Sequence, residues 1–222
     1  MWRWAVRCIE LYRPSYSDYR RPKPNSNGTV IDKAGNVSTA TATISIDRTN
    51  PTIVATQTPA ANATGWNNSN VTISYTCGDS LSSVQTCPSP VTISTEGANQ
   101  AVTGTVTDKA GNSASVTSIV KLDKTPPTIS NPTINKKFIL FSANETISAN
   151  AADTLSGAVG GEYYIDTDPG QGLGSAMTYS NGKLNATKTI SGLSVGQHKL
   201  YMRSKDKAGN WSATVSVTFT FI

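Results

Sequence analysis

The residues that carry most enzyme chemistry are scarce in this sequence. Its 222 residues include one histidine, His198, and three cysteines, and 15% of the side chains are charged. General acid–base, nucleophilic and metal chemistry draw chiefly on His, Cys and clustered carboxylates. The inventory therefore argues against an enzyme and offers no catalytic or cofactor-binding residue. Aromatic residues, at 7%, are also few. No run of about 18 apolar residues occurs, so no membrane-spanning helix is expected, and no apolar stripe recurs at helical spacing over a useful length. What is plentiful is Thr, Ser, Asn, Val, Ile and Gly, a mixture suited to half-buried strands joined by tight turns.

The net charge of +5 would suggest nucleic acid or an anionic membrane if it covered a folded face. It does not: residues 1–28 hold six basic and two acidic side chains, which leaves 13 basic and 12 acidic in residues 29–222. No nucleic-acid partner and no membrane insertion are expected. The basic head, beginning Met1-Trp2-Arg3-Trp4-Ala5-Val6-Arg7, lacks the apolar segment and small-residue cleavage site of a signal peptide. Its codons point elsewhere. Met-Trp is ATG TGG, which read one nucleotide later gives Cys-Gly, the residues at Cys77-Gly78. Permitted codons carry that frame on to match Pro90-Val91, and then take Tyr16 to Gly28 into a match with Thr92 to Gly104. Residues 1–28 are thus expected to be a non-native or disordered head, a frameshifted repeat copy in which Cys8 has no native partner.

Internal repetition is the strongest signal in the chain. Asp32-Lys33-Ala34-Gly35-Asn36 recurs as Asp108-Lys109-Ala110-Gly111-Asn112, and Asp47-Arg48-Thr49-Asn50-Pro51-Thr52-Ile53 recurs as Asp123-Lys124-Thr125-Pro126-Pro127-Thr128-Ile129, both at an offset of 76 residues. A third copy, Asp206-Lys207-Ala208-Gly209-Asn210, follows 98 residues on. These spacings divide the chain into the C-terminal part of one repeat (29–49), a complete repeat (50–124) and a second, divergent one (125–222). Within them, Val71 to Tyr75, Val102 to Thr107, Ser115 to Val120, Lys137 to Phe141, Glu162 to Ile165, Lys199 to Arg203 and Val215 to Phe221 alternate with period 2, as half-buried strands do. The expected class is all-β, in tandem antiparallel sandwiches with Greek-key links. Each Asp-Lys-Ala-Gly-Asn element reads as a hairpin turn, with Asp accepting backbone N–H groups and Gly supplying positive φ. Prolines 51, 126 and 127 stiffen the joins.

Asp108 to Asn112, the join Asp123-Lys124-Thr125-Pro126-Pro127, the segment Thr58 to Asn68 and the Cys-containing stretch after Tyr75 together resemble tandem bacterial immunoglobulin-like repeats. The last repeat, with Glu162-Tyr163-Tyr164-Ile165-Asp166-Thr167-Asp168-Pro169-Gly170 and His198 to Arg203, resembles a related module of secreted bacterial proteins. The resemblance covers residues 29–222 and implies an extracellular or cell-surface location; a monomer is expected unless a sheet edge pairs with a neighbour. It also implies a spacer or adhesion role, with neighbouring repeats, a surface receptor or a polysaccharide as partners. The alternative it leaves is an accessory, carbohydrate-binding region of a secreted polysaccharide-degrading enzyme or protease. In that exported setting Cys77 and Cys87 are expected to close a disulfide, two buried thiols being the other reading.

Arrays of this kind can hold calcium at their joins through linker and turn carboxylates, since hard cations need several oxygen ligands. The candidates are Asp47, Asp108 and Asp123, with Asp79 and Asp206 ranked behind them. Asp166 and Asp168 form a second acidic loop, which lacks the bidentate Glu of an EF-hand. His198 has no hydrolase motif near it, and Trp66 and Trp211 each read as packing residues rather than a sugar-stacking platform.

Overall fold

The computed structural model describes residues 25–222; the expectations for the head, including Cys8, fall almost wholly outside them. All regular structure among the described residues is strand. The strands are β1 (Asn25–Ile31), β2 (Val37–Thr43), β3 (Thr52–Thr58), β4 (Val71–Gly78), β5 (Val84–Thr86), β6 (Val91–Ile93), β7 (Gly97–Asp108) and β8 (Ser113–Leu122). There follow β9 (Thr128–Ile134), β10 (Phe138–Ile139), β11 (Ser142–Ala152), β12 (Ala158–Ile165), β13 (Ser175–Ser180), β14 (Lys183–Ser191), β15 (Gly196–Asp206) and β16 (Val215–Phe221). The fold is all-β.

The chain divides into two compact units. The first comprises the described residues up to Ala55, with Tyr75–Ser89 and Thr103–Val116. In it β1 and β2 form a two-stranded antiparallel hairpin, from Asn25 opposite Thr43 to Ile31 opposite Val37. The middle sheet, in the order β5-β7-β8, pairs Val84 with Asp108 and Thr86 with Thr107. Along β7 the buried positions alternate, as the period-2 pattern predicts. Gly104 falls in that buried row because the Tyr75 ring lies where its Cβ would be.

The second unit comprises Thr56–Ser74, Pro90–Val102 and Thr117–Ile222. Its main element is an eight-stranded arrangement in the order β10-β16-β15-β12-β13-β14-β11-β9, antiparallel except for the β10–β16 pair. It folds over on itself so that Ile147, Ala149 and Leu184 from one half meet Leu200, Met202 and Phe219 from the other in one apolar core. The remaining sheet order is β3-β4-β6. The strand expected over Lys137 to Phe141 shortens to β10, because Phe141 enters the left-handed region at φ 54° and turns the chain out of the ladder.

Candidate functional site

The three Asp-Lys-Ala-Gly-Asn elements fold into one kind of turn. The Asp backbone N–H donates to the Asn carbonyl in each, Asp32 to Asn36 at 2.9 Å, Asp108 to Asn112 at 3.0 Å and Asp206 to Asn210 at 3.1 Å. Gly35, Gly111 and Gly209 sit at φ 89°, 94° and 100°, which a Cβ would strain. Each Asp carboxylate then closes the loop by accepting the backbone N–H and the side-chain amide of the Asn four residues on.

Around the second and third turns the same larger knot is built twice. In the first unit, the side-chain amide of Asn112 donates to the Asp47 carbonyl at 3.2 Å, while the Asp47 carboxylate accepts Thr49 N and Ser82 N. Asp79 accepts Leu81 N and Ser83 N, ordering the loop that presents Ser82. In the second unit Asn210 donates to the Asp123 carbonyl at 2.9 Å, and the Asp123 carboxylate accepts Thr125 N and Ser156 N. Asp153 there accepts Leu155 N and Gly157 N.

Each knot brings three carboxylates together, Asp47, Asp79 and Asp108 in one and Asp123, Asp153 and Asp206 in the other, with ligand oxygens within 4.8 Å of one another. Of the residues singled out from sequence, Asp47 and Asp108 share a cluster, whereas Asp123 belongs to the second. Asp79, ranked lower, completes the first set, and Asp206, also ranked lower, joins Asp123 in the second. Asp153 was missed, although its signal was present: Asp79-Ser80-Leu81-Ser82 recurs as Asp153-Thr154-Leu155-Ser156.

Asp108, Asp123 and Asp206 are essentially inaccessible to solvent. Burial pushes the Asp206 carboxyl above its ordinary value and the negative charge of Asp123 adds to the push, against the pull of the hydrogen bonds from Asn210 and Gly209. Burial also pushes Asp108 upward, but the hydrogen bonds from Asn112, Ala110 and Gly111 outweigh it and hold that carboxyl below the ordinary value. The donor set suits a hard cation: all oxygen, three carboxylates, with Asp79 Oδ1 and Asp153 Oδ2 standing outside the turn hydrogen bonds. A carboxylate oxygen that accepts one N–H keeps a second lone pair for a metal.

The other candidates are engaged elsewhere. Cys77 and Cys87 are joined as a disulfide, with Cα atoms 6.0 Å apart. Asp168 is held by both terminal nitrogens of Arg203 at 3.0 Å, and Asp166 by His198 Nδ1 at 2.6 Å and Lys199 N. His198 Nε2 faces the Ser194 carbonyl at 2.8 Å, so both ring nitrogens meet acceptors. Asp166 first, and Ser194 second, raise its pKa. Trp66 is buried. Trp211 is half-buried, with Arg203 and Lys205 over its ring, and Tyr164 and Tyr201 stack on each other at 5.2 Å.

The chain matches no protein-family model and no curated protein. Its likenesses are among solved structures. The fibronectin(III)-like modules of Clostridium thermocellum CbhA are 16% identical over 77% of this chain and 94% of that one, with a TM-score of 0.43. A three-immunoglobulin structure of titin is 9% identical over 90% of this chain and 74% of that one, with a TM-score of 0.40. SGBP-B of the Bacteroides ovatus mixed-linkage glucan utilization locus, in complex with a mixed-linkage heptasaccharide, is 13% identical over 89% and 52%, with a TM-score of 0.18.

Proposed function

We propose that this chain is a non-catalytic spacer and adhesion-type region of a bacterial cell-surface or secreted protein, built of immunoglobulin-like repeats and stiffened by calcium at its carboxylate knots. The observation that carries the reading is the duplication of the knot: linker Asp, Asp-x-Leu-Ser loop and Asp-Lys-Ala-Gly-Asn turn converge in the same way twice. A linker whose carbonyl and carboxylate are both hydrogen-bonded to neighbouring loops is pinned to those loops, and such pinning is what a stalk needs. Three like charges in a partly buried pocket repel, and a divalent cation turns that repulsion into attraction. The disulfide supports an oxidising, extracellular setting.

The test is calcium titration by calorimetry together with melting in calcium and in chelator. Two binding equivalents and a higher Tm in calcium are expected, with Asp79→Asn and Asp153→Asn each removing one equivalent. Identical melting in both buffers and no heat of binding would end the calcium part of the reading. Retention of the chain on insoluble polysaccharide would instead favour the accessory, carbohydrate-binding role. Against that role, Tyr164 and Tyr201 stack on each other, Arg203 lies over Tyr164, and Arg203 and Lys205 lie over Trp211.

A further inference from the structure

We propose that the end of the second unit formed by residues 135–141, 166–174 and 192–195 is a docking seat for the Asp-Lys-Ala-Gly-Asn turn of another immunoglobulin-like unit joined in series. The inference rests on the serial-repeat reading above and names the surface it would use. Strand direction brings these loops together, since β9, β12 and β14 all run toward this end and the Asp123–Asp153–Asp206 knot lies at the other. On it stand Phe138, Leu140, Phe141, Leu173 and Val195, each 60–79% exposed. Large side chains so exposed and so concentrated mark an interaction surface.

What covers such an end is visible elsewhere in the same unit. Asn67 bridges in parallel to Leu122, just as Ile139 pairs in parallel with Phe221, Leu122 and Phe221 each being the last buried residue of its strand. Trp66 and Phe138 therefore hold equivalent positions, and so do Thr64 and Lys136. In the first case the loop seats a turn: Asn62 Nδ2 donates to the carbonyls of Lys207 and Ala208 at 2.8 and 3.2 Å, and Thr64 Oγ1 to that of Lys207 at 2.6 Å. Trp66 is 7% exposed there, whereas Phe138 is 69% exposed. Lys136 stands where Thr64 does; its ammonium lies 4.0 Å from Glu145 Oε1 but is 57% exposed, which leaves N–H donors for the same turn carbonyls. Phe141 adds an independent sign. A phenylalanine at φ 54° bears a backbone cost that a glycine would avoid, and at 78% exposure it gains no burial in return.

The experiment compares amide hydrogen exchange in the chain as it stands with exchange in the chain extended after Ile222 by a second copy of residues 123–222. Exchange at residues 137–141 is expected to slow by at least about tenfold in the extended chain. Phe138→Asp with Phe141→Asp in the first copy should abolish the slowing while β11 and β15 stay protected. Unchanged exchange at 137–141, with the added copy's own core protected, overturns the seat and leaves the spacer reading standing. Protection that rises with the concentration of the unextended chain assigns the surface to self-association and overturns the serial assignment.

Discussion

The first and third Asp-Lys-Ala-Gly-Asn turns have the same sequence and the same hydrogen bonds between Asp and Asn, yet their carboxylates behave in opposite ways. Asp32 lies on an exposed hairpin, and the hydrogen bonds from the Asn36 side chain and backbone hold its carboxyl below the ordinary value. Asp206 accepts equivalent bonds, but burial, with Asp123 close by, drives its carboxyl above it. The flanking residues differ likewise. Val30 and Ile44 are 51% and 45% exposed, whereas Val106 and Val120, 76 residues on, are wholly buried. The turn is thus a local product of five residues, and its energetic weight comes from what is packed around it.

Three measurements would sharpen or break that contrast. The largest effect is expected from Asp206→Ala, which leaves the half-buried Gly209 N, Asn210 N and Asn210 amide without their acceptor, at a cost of about 3 kcal/mol. Asp32→Ala should leave global unfolding by denaturant unchanged. A neutral or stabilised Asp206→Ala would mean that repulsion among the three carboxylates outweighs the hydrogen bonds they accept. Next comes Val120→Ala, expected to lower stability by about 2 kcal/mol through lost burial, against less than about 0.5 kcal/mol for Ile44→Ala. Equal losses would show that the first hairpin is covered in solution.

The smallest signal is the titration of the two carboxyls, followed by carbon NMR in calcium-free buffer. Asp206 should protonate at higher pH than Asp32, and Asp123→Asn should move Asp206 downward. The consequences for stability have opposite signs. A lowered carboxyl such as Asp32 contributes stability to its own hairpin alone, present above about pH 4, its unfolded pKa, and lost as pH falls through its folded value. A raised carboxyl such as Asp206 contributes only at low pH, and that contribution disappears as pH rises through its folded value. A common pKa for both would remove the burial argument.

Much of the fold was legible because alternation is a local property. The stretches around Val71, Val102, Ser115 and Val215 became β4, β7, β8 and β16 where period 2 placed them. Pairing was harder to read. The β12–β13 link that turns two layers into one continuous ladder has no mark in either strand's own sequence, because register is set by residues far apart in the chain. The carboxylate knots fall between these cases. Repetition pointed to Asp47, Asp108 and Asp123, but Asp153 lies in a loop whose likeness to Asp79-Ser80-Leu81-Ser82 rests on few identical residues.

By itself, then, the sequence determined the class, the turns and the repeat, since strand alternation, positive-φ glycines and Asp-to-backbone hydrogen bonds all act within a few residues. Only the tertiary structure decided which carboxylates meet and which are buried. It alone separated Asp123 from Asp47 and Asp108, bonded Asp166 to His198 and Asp168 to Arg203, and left Phe138 and Phe141 exposed where Trp66 is covered. The reason is physical: proximity and desolvation are properties of the packed chain, and they fix whether a given aspartate is a solvated turn residue or one corner of a buried charge cluster.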